Sequence, residues 1–192
     1  MARAQLIRSR LLALPSLLAA SVTVDALGML AAAKPAMRTF AGDHASALVA
    51  WASDTNLNAA TDTDGFVAVA HSRATANLVL AVDRSPEQHC AELGTLLGYP
   101  RCCADRIAAL GEPAIDDYAE TVSHWNYSGP FRLIDTAGYA SGRALISHLP
   151  CSSTCRYSLE LAQCCLPVAA TLGPLPVGEF AATLVGLSRS RS

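Results

Sequence analysis

Apolar and polar positions alternate in blocks along the chain, and these blocks predict a mixed α and β protein. Residues 3–38 are rich in Ala and Leu and predict one or two helices, interrupted near Pro15. Three short apolar runs follow, each flanked by polar turn residues and each of the length typical of a strand. These runs are residues 47–51, 65–70 and 77–82. Because they are closely spaced, we expect a small antiparallel sheet of about three strands.

Three further helices are predicted in the second half of the chain, each beginning at a proline or close to one. Ser85 and Pro86 are a typical helix start, and this helix should end near residue 98. A second helix is predicted over residues 101–109 and a third over residues 150–165. The predicted fold class is therefore α+β, with helices flanking the small sheet. We expect the cysteine motifs to lie at helix N-termini.

The length of 192 residues suits one domain with appendages. We expect an N-terminal helical segment over residues 1–40 and a cysteine-motif α+β domain over residues 41–166. Residues 167–192 form an apolar C-terminal tail that contains Pro and Gly.

The first residues of the chain allow two interpretations. Residues 1–10 contain three arginines and precede the apolar residues 11–20, as in a secretory signal. No convincing A-x-A cleavage site follows them. An amphipathic helical hairpin explains residues 1–26 equally well. The apolar run is shorter than the ~20 residues that cross a bilayer, so we expect no membrane span.

The composition excludes some classes of function. Hydrophobic residues make up 52% of the chain and charged residues 16%, which is typical of a folded protein and not of a disordered one. The net charge of −2 gives no indication of the basic surface that binds nucleic acid. The seven cysteines cannot all pair within the chain, and adjacent pairs such as Cys164-Cys165 are unlike a secreted disulfide framework. We therefore expect reduced thiols and a cytoplasmic location.

Two short motifs contain the candidate chemistry. The first spans residues 97–103 and ends in Cys102 and Cys103, and the second spans residues 148–155 and contains Cys151 and Cys155. Both place thiols near a predicted helix start, where free N–H groups and the helix dipole favour the thiolate. Two such starts facing each other would form a site for a metal, an iron–sulfur cluster or redox chemistry.

The spacing of these cysteines leaves alternatives open. On one helix, Cys151 and Cys155 would share a face and could bind one metal or cluster. Cys102 and Cys103 would diverge by about 100° on a helix, so either both bind, with the first outside the helix, or one binds and the other packs. Cys165 would lie roughly 21 Å from Cys151 along a straight helix, so we expect Cys164 and Cys165 to be buried packing residues.

Neighbouring residues could complete the site. His148 could bind a metal through its imidazole, donate a hydrogen bond to a thiolate, or cap a turn. Arg101 and Arg156 could hold an anionic substrate, although surface salt bridges are the alternative.

The four cysteines allow three kinds of chemistry. A Cys₄ set suits tetrahedral zinc or a [4Fe–4S] cluster, and a Cys₃His set with His148 suits zinc. Two facing thiols without metal suit redox exchange, but the chain has no C-x-x-C motif of the thioredoxin type.

The combination of L-G-Y-P-x-C-C and H-x-P-C-S-x-x-C resembles a poorly characterised family of small prokaryotic proteins, a domain of unknown function. The resemblance covers about residues 90–162 and includes Tyr99, Pro100 and Ser152 besides the cysteines. It implies that the four cysteines form one functional set, and it implies no particular reaction.

We therefore expect a protein that binds a metal or an iron–sulfur cluster. One role for such a protein is that of an accessory or tailoring enzyme in a bacterial biosynthetic pathway. The alternatives are a non-catalytic zinc-stabilised interaction module and a metal-free thiol redox protein. The expected partner is a small-molecule substrate or another protein, and nucleic acid is not expected.

Overall fold

The computed structural model describes residues 2–189, in which nine α-helices surround one small sheet. The elements in chain order are α1 (Ala2–Leu12), α2 (Ser21–Leu30), β1 (Ala36–Phe40), α3 (Ala45–Asp54), β2 (Asn58–Thr61), β3 (Phe66–Ala70), α4 (Arg73–Asp83), α5 (Pro86–Leu96), α6 (Arg101–Leu110), α7 (Ile115–Ser123), α8 (Arg156–Ala169) and α9 (Pro176–Arg189). Short 3₁₀ turns lie between several of them.

The three strands form an antiparallel sheet in the order β1-β3-β2. Ala36 of β1 pairs with Ala70 of β3, and Thr61 of β2 pairs with Val67 of β3. The central strand β3 is buried over most of its length, as the apolar sequence of residues 66–70 requires. The predicted α+β class, with a three-stranded antiparallel sheet, is confirmed.

The strands themselves differ from two of the three predicted runs. The run 65–70 contains β3, but 47–51 lies in helix α3 and 77–82 in helix α4. In α4 the buried side chains Ala76, Val79 and Leu80 recur at helical spacing. A short apolar run satisfies a helix face as well as a strand, so its length and composition alone did not distinguish them.

The helices of the second half are close to the predicted ones, with one shift. Helices α5 and α6 match, but α8 begins at Arg156, not at residue 150 or 151. Pro167 lies inside α8 and does not end it, and the C-terminal tail contains α9.

The buried apolar side chains of residues 2–189 form two clusters, of which the larger extends from α1 to α9. It includes Ile7 and Leu11 of α1, Leu27 of α2, Cys103 of α6 and Ala181 of α9. Residues from all three predicted segments of the chain therefore contribute to one core. Among the described residues, no helix is both long and apolar enough to cross a bilayer.

A buried ion pair lies within this apolar interior. Lys34 and Asp25 are 8% and 5% exposed, and the Lys34 ammonium donates a hydrogen bond to the Asp25 carboxylate. Lys34 also donates to Ser147 Oγ at 2.6 Å, and the Tyr139 hydroxyl donates to Asp25 at 2.9 Å. The Lys34 ammonium lies 5.1 Å from the centre of the Tyr99 ring. Helix α2 is thus tied to the loop before β1 and to residues 139–147.

Candidate metal centre

The first pair of cysteines is positioned by the turn before α6. Gly98 has a φ of +78°, and a Cβ atom there would lie 2.4 Å from Pro35 Cδ, so only glycine fits. Pro100 follows as the residue preceding α6, and its fixed φ suits a helix start. Cys102 and Cys103 therefore lie in the first turn of α6, with Cys103 buried and Cys102 half-buried.

The second pair lies in a turn, and the predicted helical spacing of Cys151 and Cys155 is wrong. Cys151 precedes α8 by a tight turn in which the Cys155 N–H donates to Ser152 O at 3.2 Å. Cys155 is the residue that caps the N-terminus of α8. The two thiols converge because the chain folds back between them, and not because they share a helix face.

The four sulfur atoms converge on one point. The Sγ atoms of Cys102, Cys103 and Cys155 are 3.7–3.9 Å apart, and the Sγ atom of Cys151 completes a group in which all four lie within 4.8 Å of one another. Cys102 and Cys103 both contribute although both lie within α6, so the expectation that the first must stand outside the helix is wrong. Four thiols at this spacing could bind a metal.

Cys103 is held by hydrogen bonds from two sides. The Cys151 N–H donates to its sulfur at 3.3 Å, and the Ser158 hydroxyl lies 3.4 Å from it. The Ser158 hydroxyl in turn lies 2.8 Å from His148 Nε2. Hydrogen bonds of this kind stabilise a thiolate and fix the orientation of a metal ligand.

Ser158 was not singled out in the sequence analysis. It is fully buried and lies three residues after Cys155, in the first turn of α8. A serine three residues past a helix-capping cysteine was therefore the available signal, but it became useful only once the start of α8 was known.

The thiols of the site differ in acidity in the absence of metal. Burial raises the pKa of Cys103, and it raises the pKa of Cys151 to about 11. Burial acts in the same direction on Cys155, but hydrogen bonds from the Ser158 hydroxyl and backbone N–H and from the neighbouring thiols outweigh it and lower its pKa to about 7. Cys155 is thus the thiol that ionises most readily among these three.

The other predicted site residues lie around the four sulfurs and not among them. His148 is buried, stacks on Tyr99 with ring centres 5.2 Å apart, and reaches Cys103 only through Ser158. Arg101 is exposed and lies 3.5 Å from Asp105, and Arg156 is exposed. Arg101 therefore takes part in a surface ion pair, and the binding of an anionic substrate by Arg101 or Arg156 stays a prediction.

The cysteines outside the site take different positions. Cys165 is buried in the core, as expected, whereas Cys164 is exposed, so the prediction that it packs internally is wrong. The two residues are adjacent on α8, and successive helical residues point about 100° apart. Cys164 shares with Cys102 a surface groove of about 510 Å³ that Arg101 and Tyr157 also line.

Comparison of the chain with models of known protein families, with curated proteins and with solved structures gives no match. The chemistry of the site therefore has to be inferred from its own geometry.

Proposed function

We propose that this chain is a metal-binding protein that holds one zinc ion through Cys102, Cys103, Cys151 and Cys155. The spacing of the sulfur atoms is the observation that carries the proposal. A Zn–S bond of about 2.3 Å in a tetrahedral site gives sulfur–sulfur distances of about 3.8 Å. The three closest pairs here are 3.7–3.9 Å apart.

The same spacing favours a single ion over a [4Fe–4S] cluster. In such a cluster each thiolate binds a different iron, so the four sulfurs surround the whole cube and must lie much farther apart than the ligands of one ion. Sulfurs that all lie within 4.8 Å of one another do not leave room for it. One iron bound by four thiolates would fit the distances, and metal analysis distinguishes it from zinc.

The arrangement supports a structural role for the ion. Four thiolates complete the coordination of tetrahedral zinc, whereas catalytic zinc retains a position for water or substrate. The ion would connect the first turn of α6 to the turn before α8, two segments far apart in sequence. We therefore favour the zinc-stabilised interaction module over the accessory enzyme. We also favour a cytoplasmic location, because a reducing compartment keeps thiolate ligands from forming disulfides. Its partner is then another protein.

Anaerobic purification followed by metal and sulfide analysis tests this function. We expect about one zinc per chain, no acid-labile sulfide, and a cobalt-substituted form with the absorption of a tetrahedral thiolate site. A brown protein with stoichiometric sulfide contradicts the single-ion proposal. Protein that contains no metal and cannot be loaded with zinc or cobalt contradicts metal binding altogether.

Zinc affinity should fall steeply as the pH decreases. Cys103 and Cys151 have raised pKa values, so each must release a proton when zinc binds near neutral pH. Below about pH 7 Cys155 must release a third. These protons alone make the zinc affinity fall by at least roughly 100-fold per pH unit above pH 7 and more steeply below it. Competition with a chelator of known affinity between pH 6 and pH 8 measures this, and a pH-independent affinity contradicts thiolate ligation.

A second candidate function, thiol redox exchange, is favoured by one specific observation. Cys155 combines a pKa of about 7 with sulfurs of Cys102 and Cys103 at 3.8 and 3.7 Å. Its thiolate could attack an external disulfide such as oxidised glutathione and release one glutathione thiolate. A neighbouring thiol would then displace the second glutathione and close an internal disulfide.

Alkylation of the metal-free protein distinguishes the two functions. If redox exchange is the function, Cys155 reacts with iodoacetamide at a rate that rises with pH around a midpoint near 7. The exposed Cys164 is the internal reference. If zinc protects all four thiols in the protein as purified, the metal-binding function is supported instead.

A further inference from the structure

A cavity of about 590 Å³ lies between residues 126–133 and the helices α8 and α9. Its aliphatic walls are Pro130, Leu133, Leu166, Leu184 and Val185. None of the four cysteines of the candidate metal centre lines it. Small-molecule sites are typically mostly apolar cavities of roughly 300–1,000 Å³ with a few polar groups, and this cavity matches that description.

The aromatic wall of the cavity is Tyr127, and it is fixed from behind. Tyr127 is 8% exposed, and its hydroxyl donates to the Val122 carbonyl oxygen at 3.3 Å. Its ring centre lies 6.2 Å from that of Trp125, and the Trp125 ring centre lies 5.9 Å from that of Tyr118. These contacts hold the Tyr127 ring in place without a ligand, so this wall of the cavity is preorganised.

Three polar side chains line the cavity, and all of them can donate hydrogen bonds. They are Asn126, Ser128 and Arg132, and each is exposed to solvent. The Asn126 amide and the Ser128 hydroxyl can donate or accept, whereas the Arg132 guanidinium only donates and always carries a positive charge. A ligand group that only accepts hydrogen bonds is therefore compatible with all three side chains.

The charge at the cavity is positive. Arg132 is the one charged residue among the described residues that line it, and Arg132 forms no ion pair with any side chain that the structure describes. The nearby Asp135 does not line the cavity, and its carboxylate accepts from the Ala137 N–H at 2.9 Å. Burial and, to a smaller extent, Asp135 raise the pKa of Tyr127, so the Tyr127 hydroxyl is neutral.

This combination of groups favours an organic anion over other ligands. A carboxylate only accepts hydrogen bonds, and it pairs with a guanidinium through two of them. An uncharged molecule of the same shape has the same apolar contacts but lacks the ion pair with Arg132. A cation is repelled by Arg132 and finds no carboxylate among the described residues of the lining.

We propose that this cavity binds a small organic carboxylate, with the carboxylate on Arg132 and the apolar body against Tyr127 and the aliphatic walls. Asn126 and Ser128 donate further hydrogen bonds to the ligand. The site is independent of the proposed metal-binding function, because no ligand of the metal lines the cavity. It gives the protein a small-molecule ligand in addition to a structural metal.

Three compounds of nearly the same shape and different charge test the ligand class. Phenylacetate is an anion, phenylacetamide is neutral, and phenethylamine is a cation at neutral pH. We expect phenylacetate to bind the protein as purified with a Kd of about 0.5–5 mM, as a small fragment does, and to shift the backbone NMR signals of Gly129 and Leu133. The amide should bind at least about threefold more weakly because it lacks the ion pair, and the amine at least about tenfold more weakly because Arg132 repels it.

Arg132→Gln separates the ion pair from the apolar contacts. Glutamine keeps an N–H donor and removes the charge, so this variant should bind phenylacetate only as tightly as it binds phenylacetamide, while its affinity for the amide stays unchanged. Arg84→Gln removes the same charge at an exposed position outside the cavity, and it should leave both affinities unchanged. Arg132 is exposed, so we expect the variant to fold, and melting curves check this.

A second pair of variants locates the binding. Val185→Asp places a carboxylate in the cavity wall and should weaken phenylacetate binding at least about tenfold without weakening the binding of phenethylamine. Thr183→Asp adds the same charge at an exposed residue of α9 that does not line the cavity, from a side chain of the same shape, and should have little effect.

Four results would each overturn the proposal. The first is that phenylacetate produces no shifts at about 20 mM, several times the expected Kd. The second is that phenylacetamide or phenethylamine binds as tightly as phenylacetate. The third and fourth are that Arg132→Gln or Val185→Asp binds phenylacetate normally. Loss of the metal in chelator does not affect any of these measurements, so the cavity and the metal-binding function are tested separately.

Discussion

Cys155→Ser is expected to abolish zinc retention. The Cys155 sulfur lies 3.8 and 3.7 Å from those of Cys102 and Cys103, which are the distances between neighbouring ligands of one tetrahedral zinc ion. A serine hydroxyl stays protonated at neutral pH and is a poor zinc ligand. Loss of residues that only hydrogen-bond to zinc ligands costs up to about 100-fold in affinity, so loss of a ligand should cost more.

Chelator competition and melting curves measure this effect together. Because zinc binding contributes to the stability of the folded state, the Cys155→Ser variant should also lose the dependence of its Tm on zinc concentration. Cys164→Ser is the matched control, since it makes the same change at an exposed cysteine of the same helix. Zinc retained by Cys155→Ser, or lost by Cys164→Ser, contradicts the assignment of the ligands.

Lys34→Met is expected to destabilise the protein by about 3–5 kcal/mol. The substitution removes the ammonium that pairs with the Asp25 carboxylate, and both side chains are almost completely buried. Methionine fills a similar volume, so the loss comes mainly from the buried charge that remains without a partner and not from a cavity. Chemical denaturation measures the free energy of unfolding, and the slope with denaturant should stay unchanged.

A double variant shows whether the unpaired charge is the cause. In Lys34→Met/Asp25→Asn the amide oxygen can still accept from Tyr139, but no charge is buried. We expect it to recover most of the stability that the single variant loses. A single variant that loses less than about 1 kcal/mol, as an exposed pair would, contradicts this account of the ion pair. So does a double variant that is less stable than the single one.

Of the three apolar runs predicted as strands only 65–70 was correct, whereas the helices that begin at a specific boundary signal were predicted correctly. The proline starts at Pro86 and Pro100 located α5 and α6 because proline favours the first turn of a helix. The runs 47–51 and 77–82 contained no such signal, and their apolar residues fit a helix face equally well. Strand β1 was missed because its first residues were included in the helices predicted over residues 3–38. Strand β2 was missed because its sequence Asn-Ala-Ala-Thr contains no large apolar residue and does not stand out from a loop.

The candidate site was predicted more accurately than the elements that carry it. The two motifs were sufficient to select Cys102, Cys103, Cys151 and Cys155, and the structure brings all four together. The reason given for Cys151 and Cys155 was incorrect, because a turn and not a shared helix brings them close. The contribution of Ser158 depends on its contact with Cys103, which the order of residues does not show.

The sequence by itself determined the chemical types that are present: thiols near prolines, a mostly apolar core, and an α+β pattern. These depend on neighbours along the chain, whose influence is local. Tertiary structure alone decided which distant groups meet. Sulfurs separated by some fifty positions came within 4 Å, and Lys34 found Asp25 and Ser147 on other segments. Such contacts result from packing between segments, which no local pattern encodes, because burial and hydrogen bonding are satisfied only when the whole core has formed.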